Sequence, residues 1–252
     1  MRIVSGHQPV YLPWLGLFHK IALCDVFVFM DDVQYLKQDW NNRNRIKGSQ
    51  GAFGLTVPVQ LKKSASLMLK DIVIADDPWE NKNHWQRAHW KSIQSSYAGA
   101  PYWGDYAEQL EAIYLEKPWT HLADLNEKML KLFLKCLGLQ VEMVKGSEMG
   151  FVGKKSELVL DHCQKLNGNF CVLGTHGRDY LDEASFTQRN IGFYYQDYHH
   201  PVYPQKFGKF ESHLSIIDLL FNCGPTSREV LMSGNICKAD LKHLGGPSGD
   251  AQ

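Results

Sequence analysis

The sequence predicts an α/β fold: a Rossmann-like, doubly wound, mainly parallel sheet that carries an inserted β-hairpin and a helical insertion. Three observations predict it. Strand-like and helix-like segments alternate at both ends of the chain, which implies parallel strands covered by helices on both faces. The run Val26-Phe27-Val28-Phe29 is apolar without alternation, as a central strand buried on both faces requires. The opening reads strand, helix, strand within about thirty residues, the size of a βαβ unit.

The elements follow in order. Arg2 to Ser5 is a strand broken by Gly6, and a loop from His7 to Pro13 leads into an apolar helix from Trp14 to Leu23. The second strand spans Asp25 to Asp31. Arg43 to Lys47 and Phe53 to Val59 flank a Gly-Ser-Gln-Gly turn and read as a hairpin, which a short strand at Asp71 to Ile74 would join. Helical spacing marks Asn81 to Tyr97, Tyr102 to Leu115 and Trp119 to Leu137, separated by Pro101 and Pro118 and stopped at Gly138. Alternation then resumes. Strands are expected at Gln140 to Val144, Asn169 to Leu173 and Gly192 to Gln196, and helices at Lys154 to Leu166, Glu183 to Arg189, Leu214 to Cys223 and Thr226 to Met232. One domain is expected over 1–234, with the hairpin insertion at 35–75 and the helical insertion at 80–138. A tail, 235–252, follows it, flexible beyond His243.

Composition narrows the function classes. The chain has 252 residues, with 27 basic and 27 acidic side chains, so no global basic field draws it to DNA. The six cysteines form no Cys-x-x-Cys pair and sit mostly in apolar patterns, as reduced core residues in a reducing compartment do. The N-terminus opens directly on a strand pattern, without a basic segment followed by an apolar one, and no run of about 18 apolar residues occurs. A cytoplasmic protein without membrane insertion is expected.

In open parallel sheets, ligands bind beyond the carboxyl ends of the strands. Those ends carry Gly6-His7-Gln8-Pro9, Asp31-Asp32, Gly174-Thr175-His176-Gly177-Arg178-Asp179 and Gln196-Asp197-Tyr198-His199-His200. If the strands are parallel neighbours, four polar clusters share one edge. His7 can act as an acid or a base or donate a hydrogen bond to a phosphate, or it only hydrogen-bonds the loop. Asp31 and Asp32 can hold an ammonium, a hydroxyl or a metal, or simply start a turn. Arg43, Arg45 and Lys47 alternate along a strand and can face one way as an anion clamp, or form a solvated hairpin face. The two-glycine loop with Arg178 suits an anion, although a plain turn competes. His199 and His200 point apart, and His84 and His89 share no helix face well, so no metal site is expected. Asp218, inside an apolar helix, needs a partner if it is buried, and bracing the loop at Tyr203 and Gln205 would supply one; an exposed face is the alternative.

Several motifs resemble the WbqC-like family. They are His7-Gln8-Pro9-x-Tyr11-Leu12-Pro13-Trp14-x-Gly16, Asp31-Asp32-Val33-Gln34-Tyr35 and Asn42-Arg43-Asn44-Arg45-Ile46-Lys47. Gly177-Arg178-Asp179-Tyr180-Leu181-Asp182, His200-Pro201-x-Tyr203-Pro204-Gln205 and Leu214 to Asn222-x-Gly224 agree as well. One position departs from the pattern: Thr175-His176 stands where small residues are expected. The resemblance implies a place in bacterial surface-polysaccharide precursor synthesis, such as O-antigen or capsule. The reaction it implies transfers an amino acid or acyl group to a sugar amine. His7, Asp31 and Asp32 are then the catalytic candidates. Gln8, Tyr11, Trp14, Gln34, Asn42, Arg43, Arg45, Lys47, Arg178, Tyr180, Tyr203 and Gln205 are the substrate-binding candidates. The implied partners are a nucleotide-linked amino sugar, with ATP and Mg or an aminoacyl-tRNA on the donor side. Two alternatives stay open. One is a nucleotidyltransferase of the HIGH type, although His-x-x-His spacing is missing and only His7 and His19 are at hand. The other is a non-catalytic binding protein using Trp79, Trp85, Trp90, Trp103 and Trp119 as a partner surface.

Overall fold

The computed structural model describes residues 1–61, 67–75 and 78–244. Residues 62–66 of the expected hairpin insertion and 245–252 of the expected tail lie outside the described residues. The chain opens with β1 (Ile3–His7), α1 (Leu15–Ala22) and β2 (Val26–Phe29). The hairpin is β3 (Arg43–Gly48) and β4 (Gly51–Thr56), and the helical insertion is α2 (Trp85–Tyr97), α3 (Trp103–Leu115) and α4 (Leu122–Cys136). Then come β5 (Glu142–Lys145), α5 (Gly146–Met149), α6 (Ser156–Lys165), β6 (Phe170–Leu173), α7 (Glu183–Gln188) and β7 (Gly192–Tyr195). Helices α8 (Ile216–Cys223), α9 (Ser227–Met232) and α10 (Leu241–Leu244) complete the described chain.

The five-stranded sheet has the order β5-β2-β1-β6-β7, and every pairing is parallel. The chain therefore winds outward from β1 to one edge, then returns to β6 and winds to the other. Alternate side chains enter two separate cores. Ile3, Phe27, Phe29, Phe170 and Val172 pack with α1, α8 and the helical insertion. Val4, Val26, Val28, Cys171 and Leu173 pack with α6 and with Phe186 of α7. This is the doubly wound α/β sheet expected from the sequence, with the hairpin a separate two-stranded sheet.

Three details differ from the expectation. The strand expected at Asp71 to Ile74 is reduced to single bridges, Val59 with Ile74 and Val73 with His121. The short helix α5 and a 3-10 turn at Thr175–Asp179 carry no apolar periodicity long enough to announce them. Residues 235–244 dock on the opening βαβ unit and on the segment after β7. Asn235 exchanges two hydrogen bonds with the His199 backbone, Lys238 pairs with Asp25 at 2.5 Å, and Leu241 is buried. Among the described residues, no helix is long and apolar enough to cross a membrane.

Gly224, which ends α8, has a physical reason to be glycine. Its φ is +55°, and an added Cβ would lie 2.3 Å from the Tyr102 ring. Gly224→Ala is expected to lower unfolding free energy by about 2 kcal/mol through strain and overlap together. Guanidinium midpoints of the two proteins check this, and an unchanged midpoint would contradict it.

Candidate functional site

Because all five strands run parallel, their carboxyl ends lie on one edge of the sheet. The strand order places the reversal of winding between β1 and β6, where open sheets of this kind bind ligands. The ladders show how the crevice opens. β1 pairs with β2 as far as His7 opposite Phe29, but with β6 only as far as Ser5 opposite Val172. Beyond Ser5 the two strands part. The His7 carbonyl accepts from Met30 N on the β2 side, so by alternation the Gly6 carbonyl faces β6. It has no ladder partner there, and Lys20 of α1 fills the place, its Nζ donating to Gly6 O at 3.0 Å.

His7 stands at the lip of this crevice. Its Nδ1–H donates to the Gln8 carbonyl at 2.8 Å, and the ring meets Trp14 edge-on at a centroid distance of 5.4 Å. That tautomer leaves Nε2 as an acceptor, with no partner among the described residues and without being sealed from solvent. Burial, reinforced by the Lys20 charge and opposed by the Gln8 hydrogen bond, pushes the His7 pKa down to about 3. The imidazole is therefore neutral at physiological pH. Lys20, buried and without an ion pair among the described residues, has its own pKa lowered by burial to about 8.

The loop after β1 is held by the hairpin insertion. Asn41 Nδ2 donates to Pro9 O at 2.8 Å and to Gln8 Oε1 at 3.3 Å, and Asn44 Nδ2 donates to Leu12 O at 2.6 Å. Leu12 sits at φ +45°, which these amide contacts keep in place. Tyr11 leaves the sheet edge altogether. It is fully buried, and its hydroxyl bonds to Tyr114 and, at 2.8 Å, to His89 Nδ1.

On the other side of His7, Asp31 is buried and fully engaged. Its Oδ1 accepts from Ser147 N at 2.9 Å and its Oδ2 from Ser147 Oγ at 2.7 Å, so it ties β2 to α5. Asp32 is half-buried against Gly146, where a Cβ would lie 2.3 Å from its Oδ1. Burial raises the pKa of Asp32, and Asp31 adds to this, while a backbone hydrogen bond and Lys70 oppose it. Lys145 closes this end by pairing with Glu127 at 3.1 Å.

The β6 end carries the 3-10 turn, with Thr175 Oγ1 donating to Gln196 O at 3.3 Å. The Arg178 guanidinium lies 4.6 Å over the Tyr195 ring, and Arg178 and Tyr180 are exposed. Gln196 Nε2 donates to Gly16 O and to His19 Nδ1, and His19 Nε2 donates to Ile236 O. Both nitrogens of His19 are thus committed, so of the two histidines in the opening βαβ unit it is His7 that keeps a ring nitrogen open.

The remaining candidates lie elsewhere. Asn42 is buried between Val57 O and Tyr35, Gln34 is exposed beside Met68, and Arg43 Nε donates to Asp39 O. Arg45 is exposed, whereas Lys47 is sealed inside, its Nζ donating to Gln205 Oε1 at 2.9 Å and Lys209 O at 2.6 Å. The three cations of β3 therefore occupy three different environments. Tyr203 and Gln205 both donate to Asp218 Oδ2, which is the brace expected for that carboxylate. None of the five tryptophans named above is exposed, and Trp90 stacks on Trp103 within the helical layer. Among the described residues, no three His, Cys, Asp or Glu side chains gather as a metal site. Lys20, Ser147 and Gly146 escaped the sequence reading. Lys20 sits in an apolar helix and would have stood out as a charge on the buried face.

The chain is 35% identical over 232 residues to Rv1507c, a Mycobacterium tuberculosis protein described as uncharacterized. The match covers 92% of this chain and 98% of that one. No solved structure matches the chain. The profile of the WbqC-like protein family matches residues 8–230, from the Gln8 loop through α8 and most of α9, and the chain belongs to that family.

Proposed function

We propose that the chain is a cytoplasmic enzyme of surface-polysaccharide precursor synthesis. It transfers an amino acid or acyl group to the amine of a nucleotide-linked sugar at the β1–β6 crevice. The observation that carries this reading is the state of His7: a neutral imidazole at the switch point, its Nδ1–H committed to Gln8 and its Nε2 open. In the reaction, the sugar amine attacks the acyl carbonyl carbon and a C–N bond forms. The bond from that carbon to its leaving oxygen, on phosphate or on a tRNA ribose, breaks. The amine proton passes by way of His7 Nε2 to the leaving oxygen, so that His7 relays it and does not keep it. Asp32 sits on the same edge and suits the acceptor's hydroxyl or ammonium, while Asp31 positions the edge through Ser147.

The test is direct. The purified chain is incubated with nucleotide-linked amino sugars and with glycine plus ATP and Mg, or glycyl-tRNA, and acylated sugar is sought by mass spectrometry. The two donors separate an ATP-dependent ligase from a tRNA-dependent transferase. His7→Gln is expected to lower kcat by about 10²- to 10⁴-fold. Full activity in that variant, or no acylated sugar with either donor, would overturn the reading. Pyrophosphate release from ATP in the absence of an acceptor would favour nucleotidyl transfer instead.

A further inference from the structure

We propose that Lys20 is the anion-binding residue of the crevice, and that it takes a phosphoryl group of the substrate where β1 and β6 part. This rests on reading that crevice as the active site. Three observations support it. Lys20 is 4% exposed as a residue, and among the described residues no carboxylate pairs with its ammonium. A desolvated cation without a counterion is unfavourable, and an incoming anion relieves that cost. The ammonium has three N–H donors, and Gly6 O uses one of them. Two remain for a ligand.

The chemistry of the opening favours phosphate over carboxylate. A carboxylate can also take both free donors, but a phosphoryl group carries the larger charge and further oxygens for other donors at this edge. Gly174, at the end of β6, gives it room: a Cβ added there would meet nothing within 4 Å. The two sources of such a group are the diphosphate of a sugar nucleotide and the triphosphate of ATP. Binding also reaches the base, because the Lys20 charge is one of the causes that depress His7. A phosphate neutralising Lys20 raises the basicity of His7, so the imidazole accepts a proton more readily once substrate is bound.

The groups facing Lys20 make its titration readable. His7 from β1 is neutral, and the Cys24 thiol is pushed up to about 12 by burial. Cys171 of β6 is also raised by burial. Of these four groups, Lys20 is the one that changes charge between pH 7 and 9.5.

The experiment is isothermal titration of the full chain with uridine diphosphate, ATP with EDTA, inorganic phosphate and glycine, at both pH values. A nucleotide is expected to bind the wild type at pH 7 and to weaken at pH 9.5. Lys20→Met is expected to weaken it about tenfold to a hundredfold at pH 7. Lys20→Arg is expected to restore binding and remove the loss at pH 9.5. Tighter binding of uridine diphosphate than of ATP assigns the site to the sugar nucleotide, and the reverse assigns it to ATP. Should Lys20→Met fail to fold, the side-chain Nζ resonance of Lys20 in the wild type must shift on adding nucleotide. Binding of glycine alone, nucleotide binding unaffected by Lys20→Met, or an unmoved Nζ resonance overturns the proposal. Phosphate binding without acyl transfer would keep this assignment and remove the proposed reaction.

Discussion

Replacing Asp218 by alanine is expected to remove about 3–5 kcal/mol of stability, enough to threaten the fold. Asp218 is fully buried on α8 and accepts from Tyr97 Oη at 3.0 Å, Tyr203 Oη at 2.9 Å and Gln205 Nε2 at 2.8 Å. Gln205 passes the connection to the buried Lys47 ammonium of β3, whose backbone N donates to Tyr97 Oη at 3.0 Å. One carboxylate thus joins α2, α8, β3 and the segment before α8. Alanine would leave two buried hydroxyls, Tyr97 and Tyr203, without this acceptor, take one of the two acceptors of Gln205 Nε2, and leave Lys47 without a countercharge; unpaired buried groups are the expensive case. Burial pushes the Asp218 pKa up, whereas the three donors and Lys47 pull it down, so the charge is tolerated because of these partners. Asp218→Asn keeps the shape and one acceptor, and is expected to cost less than alanine. Tyr203→Phe, which loses one hydrogen bond, is expected to cost about 1 kcal/mol. Urea unfolding of the three variants checks the order. A loss below about 1 kcal/mol for Asp218→Ala would mean the network adds little.

How much of this was readable in the sequence depends on the range of the signal. The sheet was legible because Val26 to Phe29 and Phe170 to Leu173 carry local patterns that burial on both faces dictates. The shared edge followed from parallel strands, and the brace between Asp218 and the Tyr203–Gln205 loop followed from the cost of a charge in an apolar helix. The alternation rule applied to Arg43, Arg45 and Lys47 says only that they share a side of the strand. It does not say that α2, α8 and the 203–211 segment cover one end of that side and bury Lys47. Tyr11 shows the same limit: its motif lies beside His7 in sequence, but the turn at Leu12 sends it into the helical layer. Lys20 was missed for the opposite reason. It lies in a helix whose periodicity reads as core, and the parting of β1 from β6 that makes a place for its ammonium is a tertiary feature.

The second large effect is acid unfolding between pH 6.5 and 4, and it follows from buried histidines far from the crevice. His89 is packed among Tyr11, Trp85 and Tyr114, and His162 lies against Phe151 with ring centroids 4.3 Å apart. Burial pushes both pKa values down to about 4; for His89 a hydrogen bond with the Thr56 backbone opposes it, and for His162 the Asp161 charge does. The unfolded chain protonates these rings near the ordinary value of 6.5, while the folded chain resists. Their contribution to stability is therefore complete above pH 6.5 and drains away as pH falls toward 4. At about 1.4 kcal/mol per pH unit for each ring, each loses about 3 kcal/mol across that window. Asp218 acts in the opposite sense, because its raised pKa lets the folded state take up a proton first as the pH falls. It offsets part of the loss from its own raised pKa down to the range of an ordinary carboxylate, where the gain ends. These two rings, with His7 (about 3) and the lowered His19 and His200 acting in the same sense, stand against a typical stability of about 5–15 kcal/mol and place the unfolding transition within reach of pH 4 to 5. Urea unfolding at intervals from pH 7 to 4 should show stability falling steadily below pH 6.5. His162→Leu should flatten that slope by about 1.4 kcal/mol per pH unit, the share of one ring. An unchanged slope in that variant would mean the His162 ring already carries a proton in the folded state. Burial against Phe151, with Lys165 adding to it, outweighs the Asp161 charge that favours that proton.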